Sequence, residues 1–271
     1  MTSDKTAICY LLIFAETAAI MLPLIRYVWV GWKAKRKDIM DGLSADARLA
    51  YFKMFIRDGK ERTPAQASAE FEALYEQWYG RRFFLLPGLL LLLVALLGST
   101  LVTFSALAGI GCVTNIVCAI PDTAIAALAG AFLWSVNDMI SRSRRLDFSP
   151  SDVLWSVLRF IVAVPMGYAF ASLVPAGGLF VAFALGAFPL ATIASMLRRL
   201  AEKQLGIAPT DDDASDDIIK LQGINKTIVE RLGNEDVTTV TQMAYCDPVE
   251  LVMRSNLTFN FVTDCMNQAL A

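Results

Sequence analysis

Histidine is absent from this chain of 271 residues. Its absence excludes Ser-His-Asp and Cys-His catalysis, every His-ligated metal site, and imidazole as a switch near neutral pH. There is also no Cys-x-x-Cys pair, no phosphate-binding glycine loop, no Gly-x-Ser-x-Gly elbow and no intramembrane Gly-x-Gly-Asp. The expectation is a protein with no enzyme activity, no metal and no cofactor. Charge is scarce as well. Asp, Glu, Lys and Arg make up 18% of the chain, against about 25% in an average soluble domain. Apolar residues reach 56%, which excludes disorder over most of the chain.

The scarcity of charge is concentrated in two runs. No ionisable Asp, Glu, Lys or Arg occurs in the 39 residues from Phe83 to Pro121, nor in the 38 from Phe160 to Leu197. A helix needs about 20 apolar residues to cross a hydrocarbon core, so each run is long enough for more than one crossing. Gly109, Gly111 and Pro121 break the first run, and Pro175, Gly177 and Gly178 break the second. With the apolar stretch that begins at Ala7, this predicts five spans, at about 7–25, 84–109, 121–140, 153–174 and 178–197. The first lacks a basic leader and a small-residue cleavage site, so it reads as a retained helix.

Lysine and arginine then set the orientation. Residues 33–82 hold eleven of them, residues 141–151 hold Arg142, Arg144 and Arg145, and the segment after Leu197 opens with Arg198 and Arg199. Residues 110–121 and 175–178 hold none. Five spans make basic and uncharged connections alternate throughout, with the N-terminus outside and the C-terminus in the cytosol. That bias, without an organelle signal, points to a prokaryotic plasma membrane.

The fold expected is all-α: a polytopic integral membrane protein. It divides into a first transmembrane helix (1–32), a cytosolic amphipathic helical loop (33–82), a four-helix transmembrane bundle (83–200), an acidic linker (201–217) and a compact helical unit (218–271). In the loop, Ser44 precedes one helical pattern. Thr63-Pro64 with Gln66 makes a capping box with proline at the first helical position. Phe71, Leu74, Tyr75 and Trp78 then share a face. Such a hairpin either lies on the membrane surface with its aromatics in the interface or serves as a docking platform for a partner or for the tail.

Ionisable groups inside spans are functional hypotheses by default. Glu16, Asp138 and Arg159 are the three, and an Arg159–Asp138 or Arg159–Glu16 pair is the expected arrangement. It would fix helix register, or form a polar pathway or protonation switch. Gly178, Ala182 and Gly186 recur every fourth residue along the last span, a spacing that lets helices approach closely, within one chain or between protomers of a homo-oligomer. Cys112 and Cys118 share the outer connection and can pair there if it is oxidising.

The tail carries the landmarks Leu221-Gln222-Gly223-Ile224-Asn225, Ile228, Leu232, Val237-Thr238-Thr239-Val240, Met243-Ala244, Asp247-Pro248 and Leu251. This stretch resembles the helix-hairpin-helix (SAM-like) domains of DNA repair and recombination proteins. The resemblance implies a hairpin at Gly223, Ile224 and Asn225 whose backbone N–H groups meet a DNA phosphate, with Lys226 and Arg231 beside it. Asn225 replaces the second hairpin glycine and tolerates a left-handed backbone. Charge opposes that function: residues 211–271 hold eleven acids and four bases, and DNA binding depends on neutralising phosphates with cations.

The function expected is therefore a non-enzymatic membrane scaffold or sensor, embedded in the lipid bilayer, whose loop and tail recruit or sense a cytosolic protein partner. An oligomeric effector or channel gated by the tail is the second reading, and a DNA tether at the membrane the third. The formal net charge of −2 hides opposed halves. Residues 1–210 hold 20 bases and 15 acids, while the tail is strongly acidic.

Overall fold

The computed structural model describes residues 3–56, 60–108, 120–146, 148–173, 178–188, 218–255 and 257–271. The described residues are helical and contain no β-strand. Four stretches are long and apolar enough to cross a membrane: Thr6–Gly42, Pro64–Ala106, Asp122–Arg145 and Pro150–Ala169. A shorter apolar helix covers Gly178–Ala187; the expected continuation of the fifth span to residue 197 lies outside the described residues. The chain separates into two compact units.

The first unit comprises Met1–Ile25, Leu86–Arg142 and Val153–Thr210. Its helices are α1 (Ser3–Arg26), α5 (Leu85–Ala108), α6 (Asp122–Arg145), α7 (Pro150–Leu173) and α8 (Gly178–Ala187). Small residues set how closely these helices approach. A Cβ on Gly186 would lie 1.9 Å from the Ala127 carbonyl oxygen, and one on Gly130 would lie 2.0 Å from that of Phe183. These two glycines thus let α6 and α8 touch backbone to backbone. Gly167 does the same for α7, since its Cβ would fall 2.3 Å from the Ala124 Cα. Around this seam Ile20, Leu91, Ala95 and Ala131 are fully buried, while Leu11, Phe14, Leu89 and Ile161 are exposed. A ring of exposed aliphatic side chains is what lipid-facing helices require, because lipid is as apolar as leucine.

The second unit comprises Arg26–Leu85, Ser143–Asp152 and Asp211–Ala271. It holds α2 (Trp32–Gly42), α3 (Ala45–Phe55), α4 (Pro64–Tyr79) and the four tail helices α9 (Lys226–Gly233), α10 (Val240–Tyr245), α11 (Pro248–Arg254) and α12 (Phe259–Leu270). Side-chain caps start these short helices where the sequence places them. Ser44 accepts from Ala47, and Thr63 with Gln66 forms the full capping box in front of Pro64. Thr239 with Gln242 repeats that device in the tail, and Thr258 caps α12.

The aromatic face of α4 points inward. Ala67, Phe71, Tyr75 and Tyr79 are all buried, whereas Trp78 is half-buried. The stripe therefore advances by four residues and ends on Tyr79 instead of Trp78. α3 packs on α4, and α4 also meets α11 of the tail. One hydrogen bond ties loop to tail directly: the Tyr51 hydroxyl donates to Asp247 Oδ2 at 2.7 Å. Asp247 Oδ1 meanwhile accepts the N–H groups of Val249 and Glu250 and so caps α11. A hydrogen bond to a carboxylate contributes roughly 1.5–3 kcal/mol. Tyr51→Phe is expected to lower the second unit's unfolding free energy by that order, read from denaturant titration of the purified full chain. An unchanged midpoint would mean that the two segments are held by apolar packing alone.

At the turn Gly223–Asn225, the roles of two residues differ from expectation. Gly223 takes the left-handed backbone, with φ +86°, and its Cα side faces the Phe261 ring. Asn225 is extended, with φ −113°, and its side chain accepts from the Ile228 N–H as the N-cap of α9. Asparagine is among the best N-cap residues, and one left-handed glycine already completes the turn.

Candidate functional site

The sequence-predicted residues inside the apolar helices do not form one site. Asp138 pairs with Arg142 one turn along α6, at 2.8 Å. Arg159 donates instead to the carbonyls of Gly186 and Phe188 and stacks over the Trp134 ring at 4.8 Å. The expected Arg159–Asp138 and Arg159–Glu16 pairs are therefore not made. The last carbonyls of a helix lack internal partners and carry its negative dipole end, so α8 offers Arg159 a closer acceptor. Glu16 receives a hydrogen bond from Thr103 Oγ1 at 3.3 Å. Gly178, Ala182 and Gly186 are buried, and Gly186 lies against α6 of the same chain. Cys112 and Cys118 lie outside the described residues. In the tail, Ile224 is buried, Lys226 exposed and Arg231 half-buried. Cys246 donates to the Met243 carbonyl, and burial pushes its thiol up to about 11, away from nucleophilic use.

A different group of side chains does converge, within the second unit. At its centre is Tyr79, 1% exposed, whose hydroxyl shares a 2.7 Å hydrogen bond with that of Tyr27. Tyr27 stands in a short π-helical turn, Tyr27–Gly31, a local widening often found at functional positions. The turn needs Gly31, because a Cβ there would meet the Tyr27 ring at 2.6 Å. The Lys35 ammonium lies over the Tyr79 ring at 4.8 Å, and the residue is 4% exposed.

Asp152 supplies a buried carboxylate beside this cation and these phenols. Its Oδ2 accepts from the Ser149 N–H at 2.9 Å, while the Ser149 hydroxyl accepts from the Asp152 N–H. That is a capping box at the start of α7, with Pro150 at the first helical position. Its other oxygen faces the Asn234 amide at 3.5 Å. Asn234 and Glu235 form the turn that closes α9, completed by Asp236 at φ +62° and by the Val237 N–H donating to the Leu232 carbonyl.

Glu235 is the titrating member of the cluster. Burial, and then the Asp152 carboxylate, push its carboxyl up to about 7, against the pull of Ser149, Arg254 and Lys35. The folded chain thus holds a proton that the unfolded chain releases near 4.5. Between those two values the native state binds more protons, so stability falls as pH rises. The unfolding midpoint is expected to drop from pH 5 to pH 7.5, and Glu235→Gln to flatten that slope and to stabilise the chain above pH 7. Parallel slopes for the two proteins would show that another group titrates.

No known family matches this chain. No curated protein and no solved structure matches it either. The geometry therefore carries the functional argument alone. It contains no cluster of metal-ligating side chains among the described residues. It does bring sequence-distant segments onto one set of charged and phenolic side chains: the end of the first apolar stretch through Tyr27, the loop through Lys35 and Tyr79, the 143–152 connection through Ser149 and Asp152, and the tail through Asn234 and Glu235.

Sequence reasoning missed these residues. Lys35 reads as one of eleven cations in its loop, and Glu235 as one of eleven acids in its tail. Only Asp152 carried a local signal, the Ser-Pro-Ser-Asp pattern of a capping box, and that pattern announces a helix start rather than a partner.

Proposed function

We propose that this protein is a non-enzymatic membrane scaffold or sensor, with five spans, its N-terminus outside, and a cytosolic head built jointly from the loop and the helix-hairpin-helix-like tail. The head recruits or senses a protein partner at the inner face of a prokaryotic plasma membrane. One observation carries the reading. The loop 33–82, residues 143–151 of the basic 141–151 connection, and the described tail, 218–271, fall in the same compact unit. A topology with these segments on opposite sides of a membrane could not place them in one folded body.

The buried cluster gives such a head a sensing element. Its charges sit at the meeting of all three segments, so a change in protonation or a bound partner acts on their junction. The tail also presents Tyr245, 80% exposed, and tyrosine is enriched at protein interfaces. Proximity labelling tests the reading, with a labelling enzyme fused to the C-terminus in the native membrane. The expected result is a small set of cytosolic proteins that is lost on Tyr245→Asp and on removal of residues 211–271. A labelled set unaffected by either change overturns recruitment by the head. Labelling of proteins on the outer side of the membrane overturns the topology.

A further inference from the structure

A second feature of the head is an open cleft of about 1070 Å³ between α2, α4 and the turn after α4. Five cations line it, Lys33, Arg36, Lys37, Arg81 and Arg82, against three carboxylates, Asp41, Glu72 and Glu76. Two of those carboxylates are occupied: Arg36 bonds Glu72 at 2.8 Å and Glu76 at 3.7 Å. Lys33, Lys37, Arg81 and Arg82 have no carboxylate partner among the described residues. The cleft therefore presents four cations without a carboxylate partner among the described residues, around a wall that Arg36 braces.

The floor of the cleft is fixed in advance. Trp32 is 3% exposed, and its indole N–H donates to the Tyr79 carbonyl at 2.6 Å. Arg81 stacks over that indole at 4.7 Å, which holds the guanidinium plane in place. The Arg81 Nε is buried and has no hydrogen-bond acceptor among the described residues. A buried donor without an acceptor costs free energy, and an anionic oxygen entering the cleft would relieve it. Gly80 permits the close turn from which Arg81 and Arg82 issue, since a Cβ there would sit 2.3 Å from the Glu76 carbonyl oxygen.

We propose that this cleft binds the phosphate diester headgroup of an anionic glycerophospholipid of the inner leaflet. The inference rests on the membrane topology proposed above. Two placements favour a lipid over a soluble phosphate. The cations Lys33 and Lys37 follow the first apolar stretch directly, and Arg81–Arg82 immediately precede the charge-free run that starts at Phe83. The flanking Trp29, Phe83 and Leu85 are exposed, at 72%, 40% and 67%, as residues in the headgroup region are. Basic pockets beside cytosolic helix ends are where anionic headgroups bind. The guanidinium fork of Arg81 suits two phosphate oxygens, and the lysines supply point charges around it.

The test uses the full chain in detergent, with native mass spectrometry reading the retained lipid. Phosphatidylglycerol is expected to be retained at least tenfold more than phosphatidylcholine. Lys33→Gln and Lys37→Gln, both at exposed positions, should each weaken retention about fivefold, and Arg81→Gln more. Equal retention of the two lipids, or retention unchanged in all three variants, overturns the proposal. A competition arm separates the sources of phosphate: millimolar glycerol phosphate should not displace the lipid, and full displacement would assign the cleft to a soluble phosphate instead. Labelling of Lys33→Cys with an impermeant thiol reagent reports the topology on its own. Reaction from outside intact cells would overturn the topology, whereas a failure of lipid retention with Lys33→Cys protected would overturn only the lipid site.

Discussion

Lys35→Met is expected to cost the head roughly 1–3 kcal/mol at pH 8, the order for leaving buried polar groups without their counterpart. Lys35 is 4% exposed, and it is one of two cations that hold down the Glu235 carboxyl. Methionine matches its length and restores apolar packing, so the loss isolates the charge. Asp152 and Glu235 would then face each other with Ser149 and Arg254 left to offset them. Two further outcomes mark the mechanism. The penalty should shrink at pH 5, where Glu235 is protonated in the folded state, and Asp152→Asn should recover part of it in the double variant. Chemical denaturation of the purified chain at both pH values reads all three. A penalty equal at pH 5 and pH 8 would mean that Lys35 acts through packing against Tyr79 and not through charge.

Gly186→Leu is expected to abolish the native arrangement of the apolar helices. The first atom of the new side chain would stand 1.9 Å from the Ala127 carbonyl oxygen and 2.8 Å from the Ala131 nitrogen. Both obstacles are backbone atoms of α6, so no rotamer change relieves them. Overpacking of side chains alone costs about 1–3 kcal/mol; here two helices must separate, and their mutual dispersion contact is what holds them in lipid. Detergent extraction followed by size exclusion should show a large loss of monodisperse protein. Gly178→Ala is the control from the same stripe. Among the described residues its Cβ meets only the Thr123 methyl, at 3.7 Å, an ordinary contact, and the protein should survive. Equal yields from the two variants would place the stripe in a looser contact than the one described.

Local chemistry was readable in the chain to the extent that neighbours in sequence decide it. The capping box at Thr63, Pro64 and Gln66 needs three adjacent residues and an apolar run after them, and it forms as written. The four long apolar helices follow from composition over about 20 residues. Asn225 was harder. Its tolerance of a left-handed backbone and its strength as an N-cap are both intrinsic, and the choice fell to Gly223, which already supplied the turn.

The charges within the apolar helices had partners that their own sequence did not name. Glu16, Asp138 and Arg159 stand out because hydrocarbon makes any charge conspicuous, yet conspicuousness does not name a partner. Arg159 reached the carbonyl end of α8 because α7 and α8 both lie against α6, through Gly167, Gly186 and Gly130. The Tyr51–Asp247 bond joins residues 196 positions apart, which no periodicity can foretell.

By itself the sequence determined the absence of histidine chemistry, the apolar helices, the alternation of basic and uncharged connections, and the starts of the short helices. Each depends on composition or on neighbours within a few turns. Only the tertiary structure decided that Lys35, Tyr79, Asp152 and Glu235 share one buried cluster, and that Arg81 stacks on Trp32 above an open cleft. A charge in a string of charges has no character of its own. Burial, which raises Glu235 and fixes Lys35, is conferred by chain segments far away in sequence.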